Sequence, residues 1–352
     1  MNLIIPAAGK SSRFPNLRPK WLLTHPDGNL MVVAAIKGLN LEKVENVYLT
    51  ILEEHLHQYA SIEGIFAAFK EVGVVPKIYV LKQPTKSQPE TVYRTIIDND
   101  IQGPIFIKDV DNFFVADLEE GNYVCTCDLN DLQSVNASNK SYVSLNDMDL
   151  IDNIVEKRII SSNFCVGGYS FLKAEQFVEY YEKMEQKDSL YISHIIFNMI
   201  LDNTLFSSKE ISDYCDWGTL EEWRKYKSDF MTIFLDIDGV LFKNSSRFFS
   251  PRWGFSRPLN KNIEFINKIY NTGKIHLVLT TSRKRKESYD NTIRQLEGFG
   301  VQYDNIIFDL PHCKRVLVND FSDSNSYRSC DSVNVIRDSE TLEKYFKEFG
   351  GA

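Results

Sequence analysis

Apolar residues in the first two thirds of the chain fall into short runs: NLIIPAA, VYLTIL, KIYVLKQ, PIFIKDVD, SYVSLN and FCVGGYSF. Amphipathic stretches separate them. This alternation predicts an α/β sheet covered by helices. Near residue 230 the pattern restarts with TIFLDIDGVLF, followed by IHLVLTTS, NIIFDL, RVLVND and VNVIRD, each read as a strand. Between them, NKNIEFINKIYNTG repeats Ile263, Ile266 and Ile269/Tyr270 at helical spacing, and Gly273 supplies a C-terminal stop. The restart divides the chain into two Rossmann-like three-layer domains, 1–227 and 231–352, with the boundary at KYKSDFM. So short a junction predicts domains that abut.

A length of 352 residues fits two domains. The net charge of -8 argues against a nucleic-acid partner, which needs a basic face. No apolar run approaches membrane-spanning length and the N-terminus has no leader pattern, so a cytoplasmic protein without membrane insertion is expected. The cysteines at 125, 127, 165, 215, 313 and 330 have no metal-ligand spacing, which predicts neither a zinc site nor a disulfide framework.

Candidate chemistry begins with AAGKSSRFPNLRPK, which follows the first apolar run. Its GKS suggests a Walker loop, but that pattern needs a glycine five positions before Gly9 and the chain has Ile4 there. What remains is a small-residue turn with free backbone N–H groups, then Arg13 and Lys20. Such a turn wraps an anion while the two cations neutralise it. Carboxylates lie at the ends of two further segments: Asp109 and Asp111 in FIKDVDNFF, and Asp213 and Asp216 in DYCDWGTLEEW. Mg²⁺ takes one or two such oxygens together with phosphates and water, and open α/β sheets bind ligands at these strand ends.

In this order PAAGKSSRF…RPKWLL, KDVDN, EK…SSNFCVGGYSF and DWGTLEEW resemble the sugar-phosphate nucleotidylyltransferases, over about residues 1–225. The resemblance implies attack by a phosphate oxygen on the α-phosphorus of a nucleoside triphosphate, with pyrophosphate leaving. It places Ala8, Gly9, Lys10, Ser11 and Ser12 around the triphosphate, with Lys10 a secondary contact. Arg13 and Lys20 stabilise charge, Asp111 and Asp216 hold Mg²⁺, and Lys157 meets the acceptor's phosphate. Gln88, in TKSQPETVY, stands where the family reads the base. The chain departs from the sugar-1-phosphate pattern at Ser11-Ser12, where a Gly-Thr is usual, and at Ser87 and Pro89. A Gly-x-Ser-Ser-Arg turn is closer to cytidylyltransferases, which favours CTP.

In the second domain FLDIDGVLF, LVLTTSR and HCKRVLVND resemble the motifs of the haloacid dehalogenase superfamily of phosphatases. By that resemblance Asp236 attacks phosphorus and Asp238 acts as acid and then base. Thr281 and Lys314 bind the phosphoryl oxygens, with Arg315 an alternative to Lys314. Mg²⁺ sits between Asp236, the Asp238 carbonyl and Asp320, and Asp323 is a second candidate for the last place. The intervals between Asp238, Thr281 and Lys314 leave no room for a large cap, so a small capless domain with an open site is expected. In the loop SSRFFSPRWGFSR, Arg247, Arg252 and Trp253 either contact a phosphorylated polyol or sugar, or Trp253 simply anchors a surface loop.

Other conspicuous residues have plainer readings. His55 and His57 point apart on a helix and read as surface or capping groups. His194 reads as a satisfied core histidine. RKRK at 283–286 reads as a solvated helix start, with Arg283 near enough to touch substrate phosphate.

Together these readings give a bifunctional enzyme for precursors of a capsular or surface polysaccharide. One domain moves a nucleotidyl group, CMP from CTP favoured, onto a sugar or polyol phosphate; the other hydrolyses a phosphate monoester of the same pathway. Two alternatives stay open: a UTP- or dTTP-dependent sugar-1-phosphate enzyme with the phosphatase attached, and a nucleotide-sensing domain that regulates the phosphatase. A homo-oligomer is also open.

Overall fold

The strand Asn2–Pro6 is the axis of the first unit, buried from Asn2 to Ile5. It pairs in parallel with Asn46–Leu52 on one side and Ile105–Lys108 on the other, and Lys77–Leu81 continues in parallel beyond the 46–52 strand. The computed structural model describes the chain apart from residues 12, 16, 132–136, 185–188, 321–328 and 347–352, and gives residue 131 by its backbone alone. It divides into two compact units, Met1–Trp223 and Arg224–Ala352.

In the first unit the winding runs outward through three strands, then returns to the other side of Asn2–Pro6 to place Ile105–Lys108. That reversal opens a crevice at the carboxyl ends of the two central strands. Beyond Ile105–Lys108 the sheet becomes mixed. Asn163–Phe171 is antiparallel to Ile105–Lys108 and to Tyr123–Asp128, and Ser207–Glu210 closes the edge. The hairpin of Ser141–Leu145 with Ile151–Glu156 joins through the Tyr142–Phe164 pairing. Alternate side chains of the axial strand feed two cores: Leu3 and Ile5 pack with Val33 and Phe69, whereas Ile4 packs with Val92, Ile96 and Phe177. The sheet is therefore the middle of three layers.

A small second sheet matters more for chemistry. Ser212–Asp216 runs antiparallel to Asn112–Asp117, and its register sets Asp216 opposite Asn112. Among the helices, Gln88–Asp98 begins where the Ser87 side chain accepts from the Glu90 N–H and Pro89 occupies the first turn.

The second unit contains a parallel sheet of Met231–Asp236, Ile275–Thr280 and Asn305–Ile307. Helices Asn260–Tyr270 and Arg285–Gly298 enclose a core that includes Leu235, Ile237, Ile266, Leu279 and Leu296. The strands expected at RVLVND and VNVIRD do not form. Residues 311–320 are exposed irregular chain, with Val316 74% and Val318 87% exposed. β-branched residues hold a strand only with a ladder partner and a face to bury, and this run has neither. No helix among the described residues is long and apolar enough to cross a membrane.

Candidate active site

Asp111 follows the buried strand Ile105–Lys108, at the crevice. Its Oδ2 accepts from Lys20 Nζ at 2.5 Å and from Arg13 NH2 at 3.3 Å. Burial alone would raise this carboxyl, but the two cations outweigh it and hold Asp111 well below the usual carboxylate range. The glycine turn reaches the same point. Ser11, at a positive φ, accepts the Lys20 N–H on its Oγ at 3.1 Å, so the turn fixes where the lysine begins. Ala8 is buried, while Gly9 and Lys10 are exposed; Ser12 lies outside the described residues.

The turn that carries the acids is built on a fully buried lysine. Lys108 Nζ donates to the Asp109 carbonyl at 2.8 Å, the Asn112 carbonyl at 3.0 Å and Asn112 Oδ1 at 2.6 Å. Burial pushes its pKa down to about 8 despite the neighbouring aspartates. Asp109 is pushed up, first by burial and then by the Asp111 charge. Gln88 turns its amide nitrogen onto Asp109 Oδ1. Beside them Gly167 has a φ of +82°, and a Cβ there would lie 2.5 Å from Asp109 Oδ2. Only glycine fits both the backbone and the space.

The second acid arrives from the far end of the unit. Trp217 N–H donates to the Asp111 carbonyl at 2.8 Å, and Gly218 N–H donates to Asp216 Oδ1 at 3.0 Å. A Cβ on Gly218 would stand 3.0 Å from Asp216 Oδ1, 3.4 Å from Arg13 NH1 and 3.6 Å from Asp111 Oδ2, so these three side chains surround one small volume. Asp216 is also bonded by Lys140 Nζ, which donates to Tyr214 Oη at 2.7 Å as well. A cavity of 420 Å³ joins Arg13, Gln88, Asp111, Asp216 and Lys157. Lys157 Nζ donates to Tyr191 Oη, which also lines the cavity, at 2.6 Å. Asp213 is exposed, on the strand that ends at Asp216.

Lys108 and Lys140 are the parts that sequence reasoning missed. Lys108 sits inside a motif but reads as one more charged residue. Lys140 belongs to no motif, and only the tertiary fold brings it to Asp216.

In the second unit Asp236 ends one strand and Thr281 follows its parallel neighbour. Asp236 is raised by burial, although the Arg315 guanidinium at 3.2 Å works the other way. Arg315 NH1 also donates to Thr280 Oγ1 at 3.1 Å. Both candidate cations are exposed, and Arg315 is the one whose ion pair with Asp236 the structure shows. Asp238 accepts from Arg283, from Ser245 Oγ at 2.5 Å and from Thr281 Oγ1 at 3.5 Å. The expectation of a solvated Arg283 is corrected: it is fully buried, because Asp238, Thr292 and Gln295 supply acceptors for its guanidinium. Arg252 is exposed on its loop. Asp320 is exposed, its carbonyl accepting from Ser329 Oγ, and Asp323 lies outside the described residues.

Among the described residues no three His, Cys, Asp or Glu side chains are grouped to hold a metal ion. Asp111 and Asp216 nevertheless suit Mg²⁺, which needs only one or two carboxylates when phosphates complete its shell. The surroundings of Gly218 show that both reach the same volume.

The first unit is thus a mixed α/β fold with cations and two acids gathered at a topological switch point. More specifically, its structural neighbours are sugar nucleotidylyltransferases. A nucleoside-diphosphate-sugar pyrophosphorylase from Vibrio cholerae superposes with a TM-score of 0.53 at 19% identity, over 64% of this chain and 98% of the other. The inositol-1-phosphate CTP transferase from T. maritima gives 0.50 at 15% identity, over 64% and 93%. A structure designated a glucose-1-phosphate thymidylyltransferase, from Bacillus anthracis, gives 0.50 at 21% identity, again over 64% and 93%. At these identities the likeness shows the fold. No family model and no curated protein sequence matches the chain.

Proposed function

We propose that the first unit transfers a nucleotidyl group from a nucleoside triphosphate to a sugar or polyol phosphate. The observation that carries this is the convergence of Arg13, Lys20 and Asp216 on Asp111, in a cavity that Lys157 also lines. An acceptor phosphate oxygen forms a bond to the α-phosphorus, the α–β bridging bond breaks, and pyrophosphate leaves. Arg13 and Lys20 stabilise the charge that gathers on the α-phosphate and the leaving group, while Lys157 receives the acceptor's phosphate. Asp111 and Asp216 would hold Mg²⁺, which when bound neutralises phosphate charge. The Ser11-Ser12 turn favours CTP. Gln88, whose amide nitrogen is held by Asp109, keeps its oxygen for a base amino group.

The second unit, in this reading, is a phosphatase that serves the same pathway, the making of a surface-polysaccharide precursor in the cytoplasm. Asp236 attacks phosphorus and the leaving alcohol takes a proton from Asp238. Asp238 then activates water, which releases inorganic phosphate and restores Asp236.

The test is pyrophosphate release with Mg²⁺, pairing CTP, UTP, dTTP, GTP and ATP in turn with pooled sugar and polyol phosphates. Release with CTP alone fixes the base. Release with UTP or dTTP transfers the reading to a sugar 1-phosphate. No release from any pair, with nucleotide still bound, would make the unit a sensor.

A further inference from the structure

The segment between Asp238 and Glu264 carries Lys243, Arg247, Arg252, Arg257 and Lys261 and no carboxylate, in a chain whose net charge is -8. It also holds Phe248, Phe249 and Phe255, which are 70%, 74% and 66% exposed. These rings stand on an ordered loop. Lys243 N–H donates to the Arg257 carbonyl at 2.8 Å, Ser246 N–H to the Pro251 carbonyl at 3.1 Å and Trp253 N–H to the Ser246 carbonyl at 3.2 Å. Gly254, at a φ of +85°, lies against Asn291 so closely that a Cβ would meet it at 2.6 Å. Acids touch the loop from outside: Glu287 pairs with Arg247, and Asp338 accepts the Asn244 N–H at 2.6 Å.

Both ends of the loop are tied to one carboxylate. Ser245 Oγ donates to Asp238 directly. Near the other end, the Ser256 carbonyl accepts from Gln295 Nε2 at 2.9 Å. Gln295 Oε1 accepts from Arg283, and Arg283 holds Asp238. The loop is therefore anchored at both ends to Asp238, two residues from Asp236.

Exposed aromatic faces interleaved with guanidinium groups suit a flat, anionic partner: bases stack on the rings and arginine forks take phosphates. We infer that the 244–257 loop is the substrate platform of the second unit and that its ligand is a phosphate monoester that also carries a nucleobase. This rests on the functions proposed above and orders them. The monoester is hydrolysed after nucleotidyl transfer, so the reaction that supplies it is transfer to an acceptor bearing a second phosphate.

The probe is 5-iodocytidine 5′-monophosphate, photo-crosslinked to the full chain and mapped by mass spectrometry. An adduct within 244–257 that disappears in Phe248→Ser/Phe249→Ser is expected; adducts confined to residues 1–223 overturn the inference. Phosphate release is measured beside it. Stacking of one base predicts that kcat/KM for CMP exceeds that for glycerol 2-phosphate by roughly tenfold or more, with the difference in KM. The double variant should remove that gap, and equal values in the wild type overturn the proposal. Binding to phosphatidylglycerol vesicles that the double variant loses, with no adduct in the loop, also overturns it, as a lipid contact. A loop adduct without turnover of CMP overturns the substrate role and the order of reactions, and leaves the loop a nucleotide-binding surface only.

Discussion

Arg283 grips Asp238 with a two-pronged fork: Nε donates to Oδ2 and NH2 to Oδ1, each at 2.8 Å. Its third nitrogen is held by Thr292 Oγ1 at 3.1 Å and Gln295 Oε1 at 3.0 Å. A lysine cannot reproduce this planar arrangement. Arg283 is thus a positioning residue that sets the direction in which Asp238 presents its oxygens.

Arg283→Lys should lower kcat for phosphate release by about tenfold or more while leaving pyrophosphate release by the first unit unchanged. Arg283→Met, which strands Asp238 beside a neutral chain, should also cost about 3 kcal/mol of stability. Steady-state kinetics and urea unfolding read the two effects separately. An Arg283→Lys enzyme with wild-type kcat would remove the positioning role.

Asp111 is the common partner of Lys20 and Arg13. Asp111→Asn should reduce pyrophosphate release by about a hundredfold or more, the scale of losing a charge-organising group. Phosphate release by the second unit should persist. If nucleotidyl transfer survives Asp111→Asn, the acid has been given the wrong part.

Gly167→Ala tests the close approach behind the acids. The added methyl meets Asp109 Oδ2 at 2.5 Å and Asn112 Nδ2 at 2.6 Å, on a backbone with φ of +82°. About 2 kcal/mol of destabilisation is expected, together with lost nucleotidyl transfer. A variant with unchanged melting temperature and full transfer activity would show that the KDVDN turn has slack.

His55 gives a pH dependence. Its Nδ1 accepts from Trp21 Nε1 at 3.1 Å, and burial pulls its pKa below the ordinary value, against the pull of Glu54. The fold thus favours the neutral ring. The stability this ring contributes is complete above the unfolded pKa of about 6.5. It is lost as pH falls below that, towards the lower folded value. The urea midpoint should drop between pH 7.5 and pH 5.5, and drop less in His55→Asn. Equal drops in both proteins would assign the acid sensitivity elsewhere.

The strands around the crevice were legible because they are continuous apolar runs ended by glycine or acid, a pattern that periodicity reads well. RVLVND has the same composition, but a strand also needs a neighbour, and a neighbour is not written locally. Arg13, Lys20 and Asp111 stood out as charges next to such runs. Lys140 did not, since its partner Asp216 lies 76 residues away and only the tertiary fold brings them together. Lys108 shows another limit: a charged residue flanked by apolar ones reads as a surface position, and only its three acceptors reveal why it is buried. His55, read as a surface or capping group, does cap Glu53–Gln58, but from a buried position.

The pairing of Ser212–Asp216 with Asn112–Asp117 also bears on when the protein becomes competent. A nascent chain that has emerged only as far as residue 205 already contains all four central parallel strands. It lacks Asp216, Gly218 and the Trp217 N–H that fastens the Asp111 carbonyl, and its Lys140 ammonium lacks the Asp216 carboxylate. Contacts of such long sequence separation form late, after local structure has condensed. During synthesis, the first unit would therefore acquire its sheet well before the Asp111–Asp216 cluster, and the cluster would be completed only as the final strand docks.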